Sequence, residues 1–287
     1  MKEGRMFRLA ILSVLILTWG VPAWAGAKVR VMSIDNCANQ LILVLADRDQ
    51  IVSLAKGGDV STLPAIKALA EGLPRNDRTA EEIIRARPDL LFYGTWTGST
   101  AMTVKRLGIR AIRLEPPRDV AQAQRQIIEV ATLLGQEERG RALAARVARG
   151  QDEAVARQSG TRLQGLVYRS GGYAYGADTL VDSIMDSAGI DNVAARLGQK
   201  LAGTIDMETV LMAAPQVLLD DQLRDRADPR IATDFLAHPA LRRGLPDVAR
   251  IQFPMAFWLC GGAATPIAID ALSALADAHR ATLEGKQ

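Results

Sequence analysis

Two cysteines are the residues of this 287-residue chain with the clearest potential for covalent chemistry. Cys37 lies in the polar stretch SIDNCANQL near the start, and Cys260 lies in the glycine-rich stretch FWLCGGAA near the end. In an oxidising compartment such a pair predicts a disulfide. A pair of thiolates that binds a soft metal and two unpaired thiols are the alternatives. The choice depends on the compartment and on whether the fold brings the two residues together.

Aromatic side chains concentrate in loops that are otherwise polar and glycine-rich, although aromatic residues make up only 5% of the chain. These residues are Tyr93 and Trp96 in FYGTW, Tyr173 and Tyr175 in GGYAYGAD, and Trp258 in MAFWLCGG. They suit stacking on a flat ligand such as a corrin, a porphyrin or a catecholate ring. The alternative is that some belong to a small core beneath the loops. Tyr173 or Tyr175 could also ligate a haem iron.

Three polar residues in nearby loops are further candidate ligand contacts: Asn36, Lys56 and Arg78. Arg78 could pair with carboxylate or hydroxamate oxygens of a ligand. A solvated guanidinium or a salt bridge to Asp77 is the alternative for this residue. Lys56 lies in LAKGGDVS, where a glycine turn would also accommodate a lysine that contacts no ligand.

Charge and histidine content argue against several function classes. The formal net charge is +3, and no cluster of basic and aromatic residues indicates a nucleic-acid partner. Neither His238 nor His279 has a second histidine or cysteine at ligand spacing, so no protein metal site is predicted. The sequence contains no G-x-S-x-G, P-loop or G-x-G-x-x-G motif, and we predict no catalytic residue. An enzyme on the same architecture remains an alternative.

The start of the chain predicts export. Lys2, Arg5 and Arg8 precede the apolar run LAILSVLIL, and an A-x-A cleavage pattern follows at 23–25. This order is typical of a cleavable secretory signal peptide over residues 1–25, with an uncleaved anchor as the alternative. The compartment expected for the mature chain is therefore oxidising, which favours the disulfide over free thiols.

The elements that would position these residues occur in two copies. The segments EEIIRARPDLLFYG and ETVLMAAPQVLLDD, at 81–94 and 208–221, share a glutamate, a helical turn, a proline at the same offset and a short apolar strand. Strands and helices alternate in a similar order before and after both segments. Each half therefore predicts an α/β unit with a mostly parallel sheet.

A helical connector is predicted between the halves, at 119–158, because apolar residues recur there at helical spacing. Gly135 is a weak point at which this helix would bend or break. The predicted organisation is an N-terminal lobe at 26–118, the connector, and a C-terminal lobe at 159–287. Ligands of parallel α/β sheets bind beyond the carboxyl ends of the strands, which places the aromatic loops and both cysteines at a cleft between the lobes.

The order and spacing of these segments resemble those of the substrate-binding proteins of ABC importers for iron-siderophores, haem and vitamin B12. The resemblance rests on VMSIDNCANQLILVLADRDQIVSLA, EEIIRARPDLLFYG, GGYAYGADTLVDSIMDSAGIDNVA, ETVLMAAPQVLLDD and FWLCGGAA, and it covers the whole mature chain. It implies two α/β lobes joined by a single long helix, with the ligand in the cleft between them. It also implies a periplasmic monomer without catalytic activity or resident cofactor, which carries a ferric siderophore or corrinoid, or alternatively haem, to permease subunits in the inner membrane.

The resemblance also assigns a role to one glutamate in each half. In the family, a surface glutamate on each lobe binds arginines of the permease, and Glu81 and Glu208 match these positions. Glu82 is a neighbouring competitor in the first half. The alternative is a carboxylate at a helix start that the helix dipole favours.

Overall fold

The computed structural model describes residues 28–57, 64–220, 238–254 and 257–285. The predicted signal peptide, at 1–25, lies outside these ranges, as do 221–237 and the segment 58–63, which contains part of the LAKGGDVS loop that follows Lys56. Within the described ranges, no helix has the length and apolar composition needed to cross a bilayer.

The N-terminal lobe is built on a parallel sheet of five strands in the order β3-β2-β1-β4-β5. Strand β4 has the sequence LLFY and is buried along its whole length, as expected for a parallel strand covered on both faces. The strands are β1 Val31–Ser33, β2 Ile51–Ala55, β3 Arg75–Asn76, β4 Leu90–Tyr93 and β5 Ala111–Arg113. The helices are α1 Asn36–Leu45, α2 Pro64–Ala70, α3 Ala80–Ala86 and α4 Gly98–Lys105.

The C-terminal lobe contains a parallel four-stranded sheet in the order β11-β10-β6-β8 and a separate antiparallel pair, β7 and β9. The strands are β6 Leu163–Val167, β7 Tyr173–Tyr175, β8 Ile190–Asn192, β9 Ala202–Thr204, β10 Val217–Asp220 and β11 Ala249–Gln252. The helices are α7 Leu180–Ser187, α8 Val193–Arg196, α9 Met207–Ala213, α10 Pro239–Gly244 and α11 Ala264–Glu284.

The predicted internal repeat is visible in the topology, because β2-β1-β4-β5 and β8-β6-β10-β11 follow the same order. Helices α3 and α9 are also built alike. Each begins at a side-chain cap, Thr79 or Asp206, and each ends at a left-handed residue, Arg87 with φ 45° or Ala214 with φ 46°. A proline follows directly in both copies and prevents the helix from continuing. The prediction of two α/β lobes is therefore confirmed.

The connector consists of two helices, α5 Val120–Leu134 and α6 Glu137–Arg157, instead of one continuous helix. The chain breaks at Gly135, which takes left-handed backbone angles of φ 70° and ψ 32°, as a glycine at a helix end does. The two helices pack closely because Gly140 has no side chain: a Cβ there would lie 2.3 Å from the Cβ of Ala131. Helix α6 alone therefore provides the long element expected between the lobes.

One hydrophobic core extends through both lobes. It includes Leu41 of α1 on one side and Val167, Leu219 and Ile269 of the C-terminal lobe on the other. Helix α6 joins this core to α11 through a close approach, since a Cβ on Gly150 would lie 2.8 Å from Pro266. The lobes therefore share packed apolar surface and are not joined by a flexible linker.

Candidate functional site

The predicted ligand-binding residues of the N-terminal lobe lie at the carboxyl ends of its strands. Arg78 follows β3 and donates a hydrogen bond from Nη2 to Oδ1 of Asn36, the first residue of α1, over 3.0 Å. Its backbone is left-handed, with φ 64°, which is uncommon for a side chain of this size. This pairing joins the ends of β1 and β3 and leaves most guanidinium donors of Arg78 available to a ligand.

Buried amide groups hold the Arg78 backbone in place. The side chain of Asn76 is buried, accepts from the Arg78 N–H over 3.1 Å, and donates to the carbonyl oxygen of Ser33 and the hydroxyl of Ser53. Its hydrogen bonds thus connect the strands β1, β2 and β3 to one another. These hydrogen bonds hold the backbone of Arg78 to the edge of the sheet.

Lys56 is already paired within the protein. Its Nζ lies 2.6 Å from Oδ2 of Asp77, and both side chains are more than half exposed. The pairing with Asp77 raises the pKa of Lys56. Asp77, considered as a salt-bridge partner of Arg78, is therefore paired with Lys56 instead. Arg78 has no acidic partner in the described part of the chain.

Trp96 is 95% exposed and is the most exposed large apolar side chain of the described residues. It lies in a short 3₁₀ turn, Thr95–Thr97, directly after β4, and the Gly94 N–H donates to the hydroxyl of Thr97 over 3.1 Å. Gly94 itself must be glycine, since a Cβ there would lie 2.1 Å from Oδ2 of Asp35. The turn thus holds a tryptophan in solvent at the carboxyl edge of the sheet.

An arginine and two tyrosines form a cluster at the carboxyl end of β6 in the other lobe. The guanidinium carbon of Arg169 lies 5.6 Å from the ring centre of Tyr173 and 6.0 Å from that of Tyr175. Its Nη1 donates to the Tyr175 hydroxyl over 3.2 Å, and the two rings meet edge to face with centres 5.5 Å apart. Sequence reasoning missed Arg169. The repeat contains the signal, because Arg169 occupies the position after β6 that Asp35 occupies after β1.

Hydrogen bonds from a buried asparagine, Asn192, link this cluster to Asp182 of α7. The Asn192 side chain donates to the Tyr175 carbonyl oxygen and to Oδ1 of Asp182, each over 2.9 Å. Burial raises the pKa of Asp182, and the negative charges of Asp186 and Asp178 act in the same direction. Tyr175 is almost completely buried, whereas Tyr173 remains partly exposed and is the tyrosine that a ligand can reach.

Two of the predicted ligand contacts are core residues in the structure. Trp258 is fully buried and packs against Phe253, with ring centres 4.6 Å apart. Tyr93, the last residue of β4, is 7% exposed because it packs in the core cluster that includes Ala101 and Val104 of α4. For these two residues the alternative of packing beneath the loops is the correct one.

The disulfide predicted from the two cysteines is present, between Cys37 and Cys260. Cys37 lies in the first turn of α1, beyond the carboxyl end of β1, and Cys260 lies between β11 and α11. The bond therefore joins the carboxyl ends of the two parallel sheets. It also establishes that the strand ends carrying the candidate residues of the two lobes are neighbours.

The two residues after Cys260 fit tightly at this junction. Gly261 and Gly262 have positive φ angles of 58° and 134°. A Cβ on Gly261 would lie 2.8 Å from Ala123 of α5 and from Pro117, and one on Gly262 would lie 3.1 Å from Leu41 of α1. Only glycine combines these backbone angles with so close an approach.

The glutamates Glu81 and Glu208 occupy the same position, the second residue of α3 and of α9, and both are exposed. Neither carboxylate has a partner among the described residues. Glu82, the competitor in the first half, accepts hydrogen bonds from the backbone N–H groups of Asp77 and Thr79 and so caps the helix. Of the two neighbours, Glu81 is therefore the one free to meet another molecule.

Two α/β lobes, a helical connector and a disulfide between the carboxyl ends of the two sheets are the features of a two-lobed binding protein. The sequence matches the family model of periplasmic binding proteins over residues 31–243, and the chain belongs to that family. Proteins of this family act in the periplasm or an equivalent space outside the cytoplasm, as transport-associated binding proteins and not as enzymes. No curated protein matches the chain in sequence.

Several solved structures share the fold. The periplasmic haem-binding protein RhuT from a Roseiflexus species is 24% identical, with a TM-score of 0.69, 88% of this chain covered and 99% of the other. The vitamin B12-binding protein BtuF of Vibrio cholerae is 14% identical, with a TM-score of 0.66 and coverage of 88% and 98%. A ferric hydroxamate transport protein from Saccharomonospora viridis is 21% identical, with a TM-score of 0.63 and coverage of 87% and 92%.

Proposed function

We propose that this protein is the solute-binding component of an ABC importer, which captures a bulky metal chelate between its lobes and delivers it to the membrane permease. The observation that carries the proposal is the exposed Trp96 at the carboxyl edge of one sheet, with Arg169 and Tyr173 at the carboxyl edge of the other. A flat or ring-bearing chelate would stack on the indole from one side and meet the arginine–tyrosine cluster from the other.

The charge at the site favours a ligand with anionic oxygens. Arg78 has the uncharged Asn36 as its partner, so its positive charge is not neutralised within the described residues. Carboxylate, catecholate or hydroxamate oxygens of a ferric siderophore suit its remaining donors. The phosphate and amide oxygens of a corrinoid would also accept hydrogen bonds from Arg78. Cobalamin is therefore the other cargo that we propose.

Haem is the second candidate cargo, and Tyr173 is the observation that favours it. This tyrosine is partly exposed, with its ring centre 5.6 Å from the guanidinium carbon of Arg169, and a tyrosine oxygen is one of the side-chain ligands that hold haem iron. Haem propionates would then take the place of siderophore oxygens at Arg78.

We further propose that Glu81 and Glu208 bind arginines of the permease, one from each lobe. Their equal positions in α3 and α9, their exposure and their lack of internal partners support this assignment. The protein would act as a monomer in the periplasm after removal of residues 1–25.

Tryptophan fluorescence tests the binding proposal, because removal of residues 1–25 leaves Trp96 and Trp258 as the two tryptophans. Trp258→Phe isolates the emission of Trp96 and removes an indole N–H that is buried without a partner among the described residues. Ferric siderophores, cyanocobalamin and haemin are titrated in turn. We expect one class to quench Trp96 saturably and the matched control Trp96→Phe to bind the same ligand more weakly. Absence of quenching by all three, with hydrolysis of a generic ester, would contradict the proposal.

A further inference from the structure

The disulfide between Cys37 and Cys260 lies beside a residue that we propose for cargo binding. On its N-terminal side, Cys37 directly follows Asn36, whose Oδ1 accepts the 3.0 Å hydrogen bond from Arg78. Asn36 and Cys37 are the first two residues of α1. A displacement of Cys37 therefore also displaces the hydrogen-bond partner that orients the Arg78 guanidinium.

The start of α1 also meets the turn that carries the exposed tryptophan. The residue that caps α1, Asp35, accepts a hydrogen bond from the Ala38 N–H over 3.0 Å. Its carboxylate lies so close to Gly94 that a Cβ there would be 2.1 Å from Oδ2. Gly94 begins the turn of Trp96. The first turn of α1, to which the disulfide is attached, therefore contacts both Arg78 and the turn of Trp96.

On its C-terminal side, the disulfide holds a loop that contains a buried donor without an acceptor. Trp258, two residues before Cys260, is fully buried, yet its indole N–H has no hydrogen-bond partner among the described residues. Two residues after Cys260, the Gly262 N–H donates to the Thr265 hydroxyl in the first turn of α11 over 2.9 Å. A buried donor without an acceptor destabilises the conformation that buries it, so this loop gains a hydrogen bond to water if it opens.

The two sulfurs of the bond differ in how easily a thiol reaches them. Cys37 is partly exposed, whereas Cys260 is only 7% exposed. A dithiol therefore attacks the Cys37 sulfur, forms a mixed disulfide with it and expels the Cys260 thiolate. The second thiol of the dithiol then attacks the reagent's own sulfur in the mixed disulfide and releases the Cys37 thiolate. The dithiol is oxidised to a disulfide, the protein bond takes up its two electrons, and the two cysteines take up its two protons.

We propose that the Cys37–Cys260 disulfide is a thiol-sensitive switch of cargo binding. The intact bond holds the strand ends of the two lobes in the arrangement that captures the chelate, and cleavage by a dithiol lowers the affinity. This inference rests on the proposed importer function. The intact bond orders the contacts of the cleft before the cargo arrives, so after cleavage the cargo must bear the cost of ordering them. By thermodynamic linkage, bound cargo favours the intact bond by the same factor.

Two measurements without cargo test the bond itself. Brief treatment with glutathione, then alkylation of the freed thiol and mass spectrometry, should find glutathione on Cys37 and the alkyl group on Cys260. In the Trp96→Phe variant without residues 1–25, Trp258 is the one remaining tryptophan. Its emission should shift to longer wavelength when dithiothreitol cleaves the bond, while the far-ultraviolet circular dichroism stays the same. Glutathione on Cys260, an unchanged emission of Trp258 or a loss of the helical signal would overturn the inference.

Binding measurements test the coupling to cargo. Cyanocobalamin, haemin and the ferric complex of desferrioxamine are titrated into the wild type and into Cys37→Ser/Cys260→Ser. For the chelate that binds, we expect the affinity of the double variant to be at least about fivefold lower, the lower end of the usual coupling between two sites. The same chelate should lower the equilibrium constant for reduction of the wild-type bond in a dithiothreitol redox buffer by an equal factor.

Gly135→Ala is the matched control, because it destabilises the fold away from the cleft. Gly135 follows α5, where the Leu134 carbonyl oxygen accepts from Gln50, directly before β2 and so at the amino end of that strand. This variant should bind the chelate as the wild type does, although it unfolds more easily. Wild-type affinity in the double-serine variant, or an equal loss in Gly135→Ala, would overturn the inference. If none of the three chelates binds the wild type, the importer function fails, and the glutathione and emission results then show whether the bond controls the loop.

Discussion

At the residue scale, Arg78 combines a position that we propose for ligand binding with an unfavourable backbone conformation. A side chain other than glycine at φ 64° costs about 1–2 kcal/mol. Arg78→Gly should therefore remove the ligand contact without loss of stability, because glycine accepts this conformation. We expect the affinity for the chelate to fall about tenfold or more, which corresponds to one hydrogen bond to a charged group. Fluorescence titration and urea unfolding measure the two quantities.

Arg78→Ala is the control for this variant. It removes the same guanidinium but keeps a Cβ in the left-handed conformation, so it should bind as weakly as Arg78→Gly and unfold more easily. A glycine variant that binds the chelate as tightly as the wild type would remove Arg78 from the site.

Asp182 gives the second prediction at this scale. Its carboxyl has a raised pKa in the folded protein because it is buried, so the folded state holds its proton more tightly than the unfolded chain, whose value is 3.8. The wild type should therefore lose stability as the pH rises from the unfolded value through the raised one. Asp182→Asn does not titrate and still accepts from Asn192. Its stability relative to the wild type should rise across that window and level off above it. A difference that is the same at every pH in urea unfolding would contradict the assignment.

The sequence alone did not predict which aromatic residues near glycine-rich loops are exposed and which are buried in the core. Trp96 and Trp258 both lie beside glycines, yet one is in solvent and the other in the core. The direction of such a side chain is set by the packing of the whole chain, which local sequence does not contain. Arg169 was missed for a related reason, because it meets Tyr173 and Tyr175 only through the tight turn Ser170–Gly172, in which Gly171 and Gly172 take positive φ angles.

At the element scale, the glycines at two helix connections should differ in their tolerance of alanine. Gly135 and Gly261 both have positive φ, but a Cβ on Gly135 meets nothing within 4 Å, whereas one on Gly261 meets Ala123 and Pro117 at 2.8 Å. Gly135→Ala should cost about 1 kcal/mol of unfolding free energy from the backbone alone. Gly261→Ala should cost a further 1–3 kcal/mol or so from overpacking.

Denaturant unfolding of the two variants checks this prediction. We expect the larger loss of unfolding free energy at Gly261, because only there does the added methyl group meet packed neighbours. Equal losses of unfolding free energy in the two variants would show that the junction between the lobes accommodates a methyl group without overpacking.

The repeat made the elements largely predictable. A glutamate, a helical turn and a proline at fixed offsets recur in both halves, and both copies form a helix and a parallel strand. The hairpin of α5 and α6 was less certain, because a glycine in a helical pattern permits a bend, a break or neither. The close packing of Gly140 against Ala131 favours the hairpin, and this contact exists only once the two helices are packed together.

At the scale of the whole molecule, the disulfide should stabilise the arrangement of the lobes. The Cys37–Cys260 bond closes a loop that spans 223 residues of sequence. Replacing both cysteines by serine should lower the free energy of unfolding by about 2–5 kcal/mol, as losing a native disulfide generally does. Urea unfolding of the double variant and the wild type measures this difference.

Thiol titration provides the independent check on this bond. The denatured but unreduced wild type should contain no free thiol. Two titratable thiols per chain would show that the strand ends of the two sheets are not linked in solution.

The overall architecture could be predicted from the sequence, since alternating strands and helices, a repeat and a helical connector determine it. The nature of the proposed cargo could not be predicted, because it would depend on a few side chains from the edges of two separate sheets. If the proposal is correct, Arg78, Trp96, Arg169 and Tyr173 restrict the cargo by charge and shape without identifying it.

Native mass spectrometry of the protein isolated from the periplasm of its native cells, grown under iron limitation or with cobalamin, tests the proposed capture of a metal chelate most directly. We predict one additional mass per chain that corresponds to a ferric siderophore, a corrinoid or haem, and its occupancy should fall in the Trp96→Ala variant. Protein that carries no such mass, and acquires none when all three classes are supplied, would contradict the proposed function.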